Sequence, residues 1–209
     1  MDGILGKALD KLGPDTLLVV CSDHGFTSFS RQVHLNTWLV QNGFMALNEG
    51  RKDGRPLFAD VDWAKTSAFA FGLNSLFLNL KNREKAGSLD APEAELVKRE
   101  LVDKLAQLRD GDKKVISRVD EPTKLFGTET RGQGPDFIVG FADGYRVSWQ
   151  TALGEAKAGK VIEDNTQKWS GDHCCAPEFV PGIFLSNFKG LVSKPHIQDI
   201  CPMILDYLA

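Results

Sequence analysis

No run of lysine and arginine interrupts this sequence. Its charges nearly cancel, with 25 Lys and Arg against 28 Asp and Glu for a net charge of −3. A polyanion-binding face needs clustered cations, so no nucleic-acid-binding surface is expected. No apolar stretch approaches the ~18 residues of a membrane span. Met1 to Leu12 carries charges at helical spacing and does not read as a signal peptide, so no membrane segment is expected. Cysteine is scarce: Cys21, Cys174, Cys175 and Cys201 are the four, without a C-x-x-C pair. That excludes a disulfide scaffold and leans toward a reducing, cytoplasmic compartment, with Cys21 read as a buried thiol. What is present is a hydrophobic fraction of 42% over 209 residues, enough for a packed core in one domain with room for a small subdomain.

The periodicities predict a mixture of helices and strands with no repeat. Met1 to Leu12 reads as a short helix stopped by Gly13-Pro14. Thr16 to Cys21 (TLLVVC) is a continuous apolar run, the pattern of a strand buried on both faces in a parallel sheet. Leu35 to Gln41 reads as a helix, and Ser67 to Gly72 with Ser75 to Leu80 as two strands joined by a turn. Asp90 to Leu108 is the clearest helix. Asp90 and Glu93 form a capping box, Pro92 falls in the first turn, and Val97, Leu101, Leu105 and Leu108 line one face. Lys113 to Val119, Asp136 to Phe141, Tyr145 to Trp149 and Gly182 to Ser186 read as strands and Ile200 to Leu208 as a closing helix. Thr151 to Pro181 reads as a long polar loop, which in a compact domain points to function or mobility. The fold class expected is α/β: a mainly parallel sheet sandwiched by helices, with a smaller antiparallel α+β insertion at about residues 60–150.

Two short segments could carry chemistry. Ser22-Asp23-His24-Gly25 follows the TLLVVC strand, where ligands gather beyond the carboxyl ends of an open α/β sheet. An Asp and a His there, with a glycine letting the backbone turn, make half of a metal site; an Asp cap and a core histidine are the plainer alternative. Ser170-Gly171-Asp172-His173 repeats the Asp-His pair in the long polar segment. Cys174 and Cys175 beside it suggest a Cys/His zinc site, but no second pair completes four ligands. An ordinary loop histidine is the plainer reading of His173.

Six collinear segments carry a resemblance: DTLLVVCSDHGF, VHLNTWLVQNGF, KTSAFAFGLNSLFLNLKNRE, PDFIVGFADGYRVSW, WSGDHCCAPEFVPGIFLSN and IQDICPMILDYL. Together they resemble the type I phosphodiesterase/nucleotide pyrophosphatase family of the alkaline phosphatase superfamily, over about Asp15 to Leu208. The resemblance implies an alkaline-phosphatase-like domain holding two divalent metal ions, usually zinc. It implies that Asp23 and His24 ligate one metal and His173 the other, with Asp172 supporting a ligand rather than being one. The implied reaction is in-line displacement at phosphorus in a phosphodiester or nucleotide-like small substrate, by a metal-activated Thr or Ser hydroxyl through a covalent phospho-enzyme.

In that family the nucleophile and the remaining metal ligands lie upstream of the S-D-H-G segment. The 22 residues before Asp23 hold Asp2, Asp10 and Asp15 and no histidine. The expectation is therefore that residues 1–209 form the C-terminal part of one such domain and contain no catalytic nucleophile. Its partner would be the missing N-terminal half or a second chain, and the chain alone would be inactive. Two alternatives stay open: a non-catalytic remnant serving as a binding module, and a phosphomutase or phosphomonoesterase of the same superfamily. Ser22 reads as a backbone-capping residue. Trp169, four residues before His173, is a candidate pocket wall. His34 reads as a packing or surface residue and His196 as a solvated one. Arg131 and Lys168 are candidate phosphate contacts against the ordinary reading of solvated loop charges.

Overall fold

The computed structural model describes residues 1–127, 132, 134–188 and 194–209. The first third of the chain forms α1 (Asp2–Leu9), β1 (Val19–Cys21), β2 (Thr27–Val33), α2 (Leu35–Gln41), β3 (Ala68–Ala70) and β4 (Ser75–Leu78). Next come α3 (Ala91–Ala106), β5 (Arg109–Asp110), β6 (Lys113–Lys114), β7 (Ile116–Asp120), α4 (Pro122–Phe126) and β8 (Phe137–Phe141). The remainder forms β9 (Gly144–Val147), α5 (Trp149–Ala152), β10 (Ile162–Asp164), β11 (Gly171–Asp172), β12 (Phe184–Ser186) and α6 (Ile200–Leu208). These elements fall into two units, residues 26–180 and a smaller one built from 1–25 and 181–209.

The larger unit holds the main core. Its four-stranded sheet runs β3-β4-β8-β7, and every pairing in it is antiparallel. Helix α3 supplies Leu101 and Leu105, both fully buried, beside Phe137, Phe141 and Ile116 of the sheet. The expected capping box starts this helix: Asp90 Oδ1 accepts the Glu93 amide at 3.0 Å, and Glu93 Oε2 accepts the Asp90 amide at 2.9 Å. A second sheet gathers on β2, which pairs with β9 in parallel and with β10 and β11 antiparallel. Asn36, fully buried at the start of α2, joins the helix to β3 by exchanging two hydrogen bonds with the Ala70 backbone, at 2.8 and 2.9 Å.

The smaller unit pairs β1 with β12 antiparallel, Val19 opposite Ser186 and Cys21 opposite Phe184. The expectation of a doubly buried parallel strand over Thr16 to Cys21 is corrected here. Only Val19–Cys21 is strand, Val19 and Val20 are half-buried, and Cys21 is exposed rather than buried. The apolar run carries the residues of a buried strand but finds a ladder partner only in β12 among the described residues.

The mixture of helices and strands matches the α/β expectation, whereas the mainly parallel sheet does not match the described pairings. Among the named strand pairs only β2–β9 is parallel. A parallel pair needs a crossover of a dozen residues or more. Sequence neighbours such as β3–β4 and β5–β6 are joined by a few residues and can only fold back as hairpins. The Thr151–Pro181 segment is likewise more ordered than a loop. Ile162–Asp164 and Gly171–Asp172 are short strands against β2, and they carry Asp172 to a fixed place.

Candidate metal-binding turns

The turn after β1 is held from below by Ser22. Its amide donates to the Ile183 carbonyl at 3.1 Å, and its Oγ accepts the Ile183 amide at 2.9 Å. The hydroxyl oxygen thus caps the backbone ahead of β12, the role expected of Ser22 from the family resemblance. Gly182 leaves the room for this closeness: a Cβ there would stand 2.9 Å from the Ser22 carbonyl oxygen.

Asp23 and His24 project from that turn as a coupled pair. Asp23 Oδ1 accepts the His24 amide at 3.0 Å. The His24 Nδ1 lies 2.9 Å from the Gly25 carbonyl oxygen. A carbonyl only accepts, so Nδ1 carries the proton and the lone pair of the neutral ring sits on Nε2. That nitrogen is 3.4 Å from Asp23 Oδ2. A histidine that binds a metal through one nitrogen commonly donates the other N–H to a backbone carbonyl, which fixes tautomer and ring plane.

Asp172 and His173 lie in the larger unit, at the end of β11, whose Asp172 stands opposite Thr27 of β2. Asp172 is buried and His173 is exposed. The Asp172 Oδ1 accepts the amides of His173 at 2.7 Å and Cys174 at 3.0 Å, and Oδ2 accepts from Arg146 Nε. Burial alone would raise this carboxyl. Hydrogen bonds from the Cys174 thiol, from Arg146 and from the two amides outweigh it and hold the pKa at about 2. Burial, and then the Asp172 carboxylate, push the Cys174 thiol up to about 12. The ligand atoms of Asp172, His173 and Cys174 lie within 4.8 Å of one another. Asp172 and Cys174 are buried and the Asp172 carboxylate already accepts from two amides and Arg146, so exposed His173 is the member of the trio most open to coordination. Its ring meets Phe26 edge-on, with centroids 5.4 Å apart.

The other expected residues fall in varied places. Trp169 is 57% exposed, and its carbonyl accepts from Asn165 Nδ2 at 2.7 Å. Lys168 is exposed, and Arg131 lies outside the described residues. His34 is buried, with Nε2 3.1 Å from Glu163 Oε2, and burial lowers its pKa below the ordinary histidine value. His196 is exposed, and its Nδ1 accepts the Gln198 amide at 3.4 Å. Arg146 was not singled out by its residue pattern. The available signal was an arginine between Tyr145 and Val147 in a strand, where a charge must find a buried partner.

A family model described as type I phosphodiesterase / nucleotide pyrophosphatase matches residues 1–169. The chain belongs to this family. The match takes in the Asp23-His24 turn and ends at Trp169, before His173. No curated protein and no solved structure matches the chain. Among the described residues no helix is long and apolar enough to cross a membrane.

Proposed function

We propose that this chain contributes the C-terminal metal-binding turns of a phosphodiesterase or nucleotide pyrophosphatase that hydrolyses phosphodiester or pyrophosphate bonds. Asp23 and His24 hold one divalent ion, zinc in this reading, and His173 contributes to a second. The observation that carries this reading is the Asp23–His24 pair. Two donors of one tetrahedral zinc stand about 3.4 Å apart when each is about 2.0–2.1 Å from the metal. His24 Nε2 and Asp23 Oδ2 are separated by 3.4 Å, with Nδ1 already committed to a carbonyl. Membership of the family supplies the reaction class.

Bound divalent ions would supply Lewis-acid polarisation of the phosphoryl group and a lowered pKa for the attacking hydroxyl. The chain's own residues provide the geometry. Gly25 sets the His24 tautomer, Asp23 brings an anionic oxygen beside its ring, and Asp172 pins the backbone that presents His173. Ser22 is not the nucleophile in this reading, because its Oγ caps the Ile183 amide. Three ligands fall short of what two zinc sites need, which is three or four protein ligands each. The rest of the ligand set and the nucleophilic hydroxyl therefore come from a further segment or a second chain, and the chain forms one alkaline-phosphatase-like domain with it. Trp169 is assigned to the wall of the substrate pocket.

The test is hydrolysis of a p-nitrophenyl nucleotide ester. The 209-residue chain with added zinc is expected to show no turnover. Joined to the family's upstream segment, it is expected to turn over and to lose activity in His24→Ala and in His173→Ala. Zinc-dependent turnover by the chain alone, or full activity in both variants, would overturn the proposal.

A further inference from the structure

Arg146 occupies an unusual position for a cation. It is 3% exposed, on β9, in a run with the buried residues Tyr145 and Val147. Its guanidinium carbon lies 4.2 Å from the centre of the Trp149 ring and 5.4 Å from that of Phe29. Nη1 donates to the Val147 carbonyl at 3.2 Å, and Nε donates to Asp172. The hollow lined by Thr27, Phe29, Arg146, Asp172 and Cys174 has a volume of about 10 Å³, no more than one water needs.

We propose that Arg146 is a positioning residue for His173, a role that rests on His173 being a metal ligand. Both ends of the arrangement are anchored on one strand. β2 pairs with β9, which carries Arg146, and with β11, which ends in Asp172. The aromatic faces hold the guanidinium flat and the guanidinium holds Asp172 Oδ2. Asp172 Oδ1 is thereby aimed at the amides of His173 and Cys174. A planar fork that stacks and donates at once is what arginine supplies and lysine does not. Remove it, and the buried carboxylate loses its cationic partner and the contact that fixes Oδ2, so its aim at the two amides loosens.

The experiment measures amide hydrogen exchange in the 209-residue chain, and zinc-induced shifts of the His173 ring in that chain joined to the family's upstream segment, for wild type, Arg146→Lys and Arg146→Met. Positioning predicts that exchange at His173 and Cys174 rises at least about 10-fold in Arg146→Met and less in Arg146→Lys, while Leu101 and Leu105 of α3 stay within about twofold. Zinc affinity reported by the His173 ring should fall about 10–100-fold, as for other residues that orient ligands. If Arg146→Met does not fold, Trp149→Leu removes the stacking face and keeps the charge. A selective rise at the two amides then supports the proposal. Unchanged exchange at His173 and Cys174, or an equal rise throughout α3, overturns it. If the selective rise occurs but zinc never reaches the wild-type His173 ring, the metal assignment fails while the positioning of the turn stands.

Discussion

Replacing Gly182 by alanine should damage the Asp23–His24 turn, although it adds only a methyl group. The new Cβ would sit 2.9 Å from the Ser22 carbonyl oxygen and 3.2 Å from Ser22 Oγ. Comfortable contact begins near 3.4 Å, so the Ser22 backbone or the β12 approach must retreat by about 0.5 Å. Ser22 is held to Ile183 by two hydrogen bonds, so the retreat strains both. Overpacking of this size costs about 1–3 kcal/mol. Alanine returns about 0.4–1 kcal/mol by restricting the unfolded chain, which leaves a net loss of up to about 2.6 kcal/mol. Gly6, in the middle of α1, provides the control: a Cβ there meets nothing within 4 Å, and Gly6→Ala should stabilise by about 0.5–1 kcal/mol. Urea denaturation of both variants, with amide exchange at Ser22 and Ile183, reads the contrast. Equal stability of the two variants would refute the steric account of the turn.

Three further outcomes follow from particular contacts. Asn36→Ala removes both partners of the Ala70 backbone in a fully buried place and should cost about 2–4 kcal/mol in urea denaturation. Leu101→Ala, at the fully buried contact of α3 with the sheet, should cost about 2–5 kcal/mol by the same measurement. His34 provides a pH signature. Burial lowers its pKa below 6.5, against the Glu163 carboxylate that raises it and with the Lys157 charge that lowers it further. The unfolded chain therefore takes up a proton first. Stability falls as pH drops through about 6.5 and levels off below the folded pKa. His34→Gln keeps a donor for Glu163 but does not titrate, so its melting temperature should fall less than that of wild type between about pH 7.5 and 5.5. Parallel curves would show that His34 is not the group responsible.

Local signals in the sequence carried far, because the physics they report is local. The Asp90–Glu93 box and Pro92 place the start of α3, and the Leu101–Leu105 spacing places its buried face, within a residue or two of the structure. Leu35 to Gln41 is a helix over the expected span. Strand environment was harder to read. TLLVVC reports a preference for burial but not which strands lie beside it, and its ladder partner, Phe184–Ser186, is some 160 residues away. Residues 162–164 and 171–172 are too short to show alternation and become strands only because β2 offers its edge. The motif residues were legible as Asp-His pairs after glycine or a strand end. What fixes them was less so. The Gly25 carbonyl on His24 and the Arg146 fork on Asp172 are set by backbone direction and by distant packing.

The central claim is that His24 and His173 meet metal. The chain has only four histidines, so their imidazole ¹H–¹⁵N signals can be resolved one by one while zinc is added. His34 is buried against Glu163, and His196 sits on an exposed turn in a capping role. The account predicts that zinc shifts the His24 and His173 rings, with the response of His24 weakened in Asp23→Ala, and leaves His34 and His196 in place. Zinc responses confined to His196 or His34, with His24 and His173 unmoved at saturating metal, would contradict it.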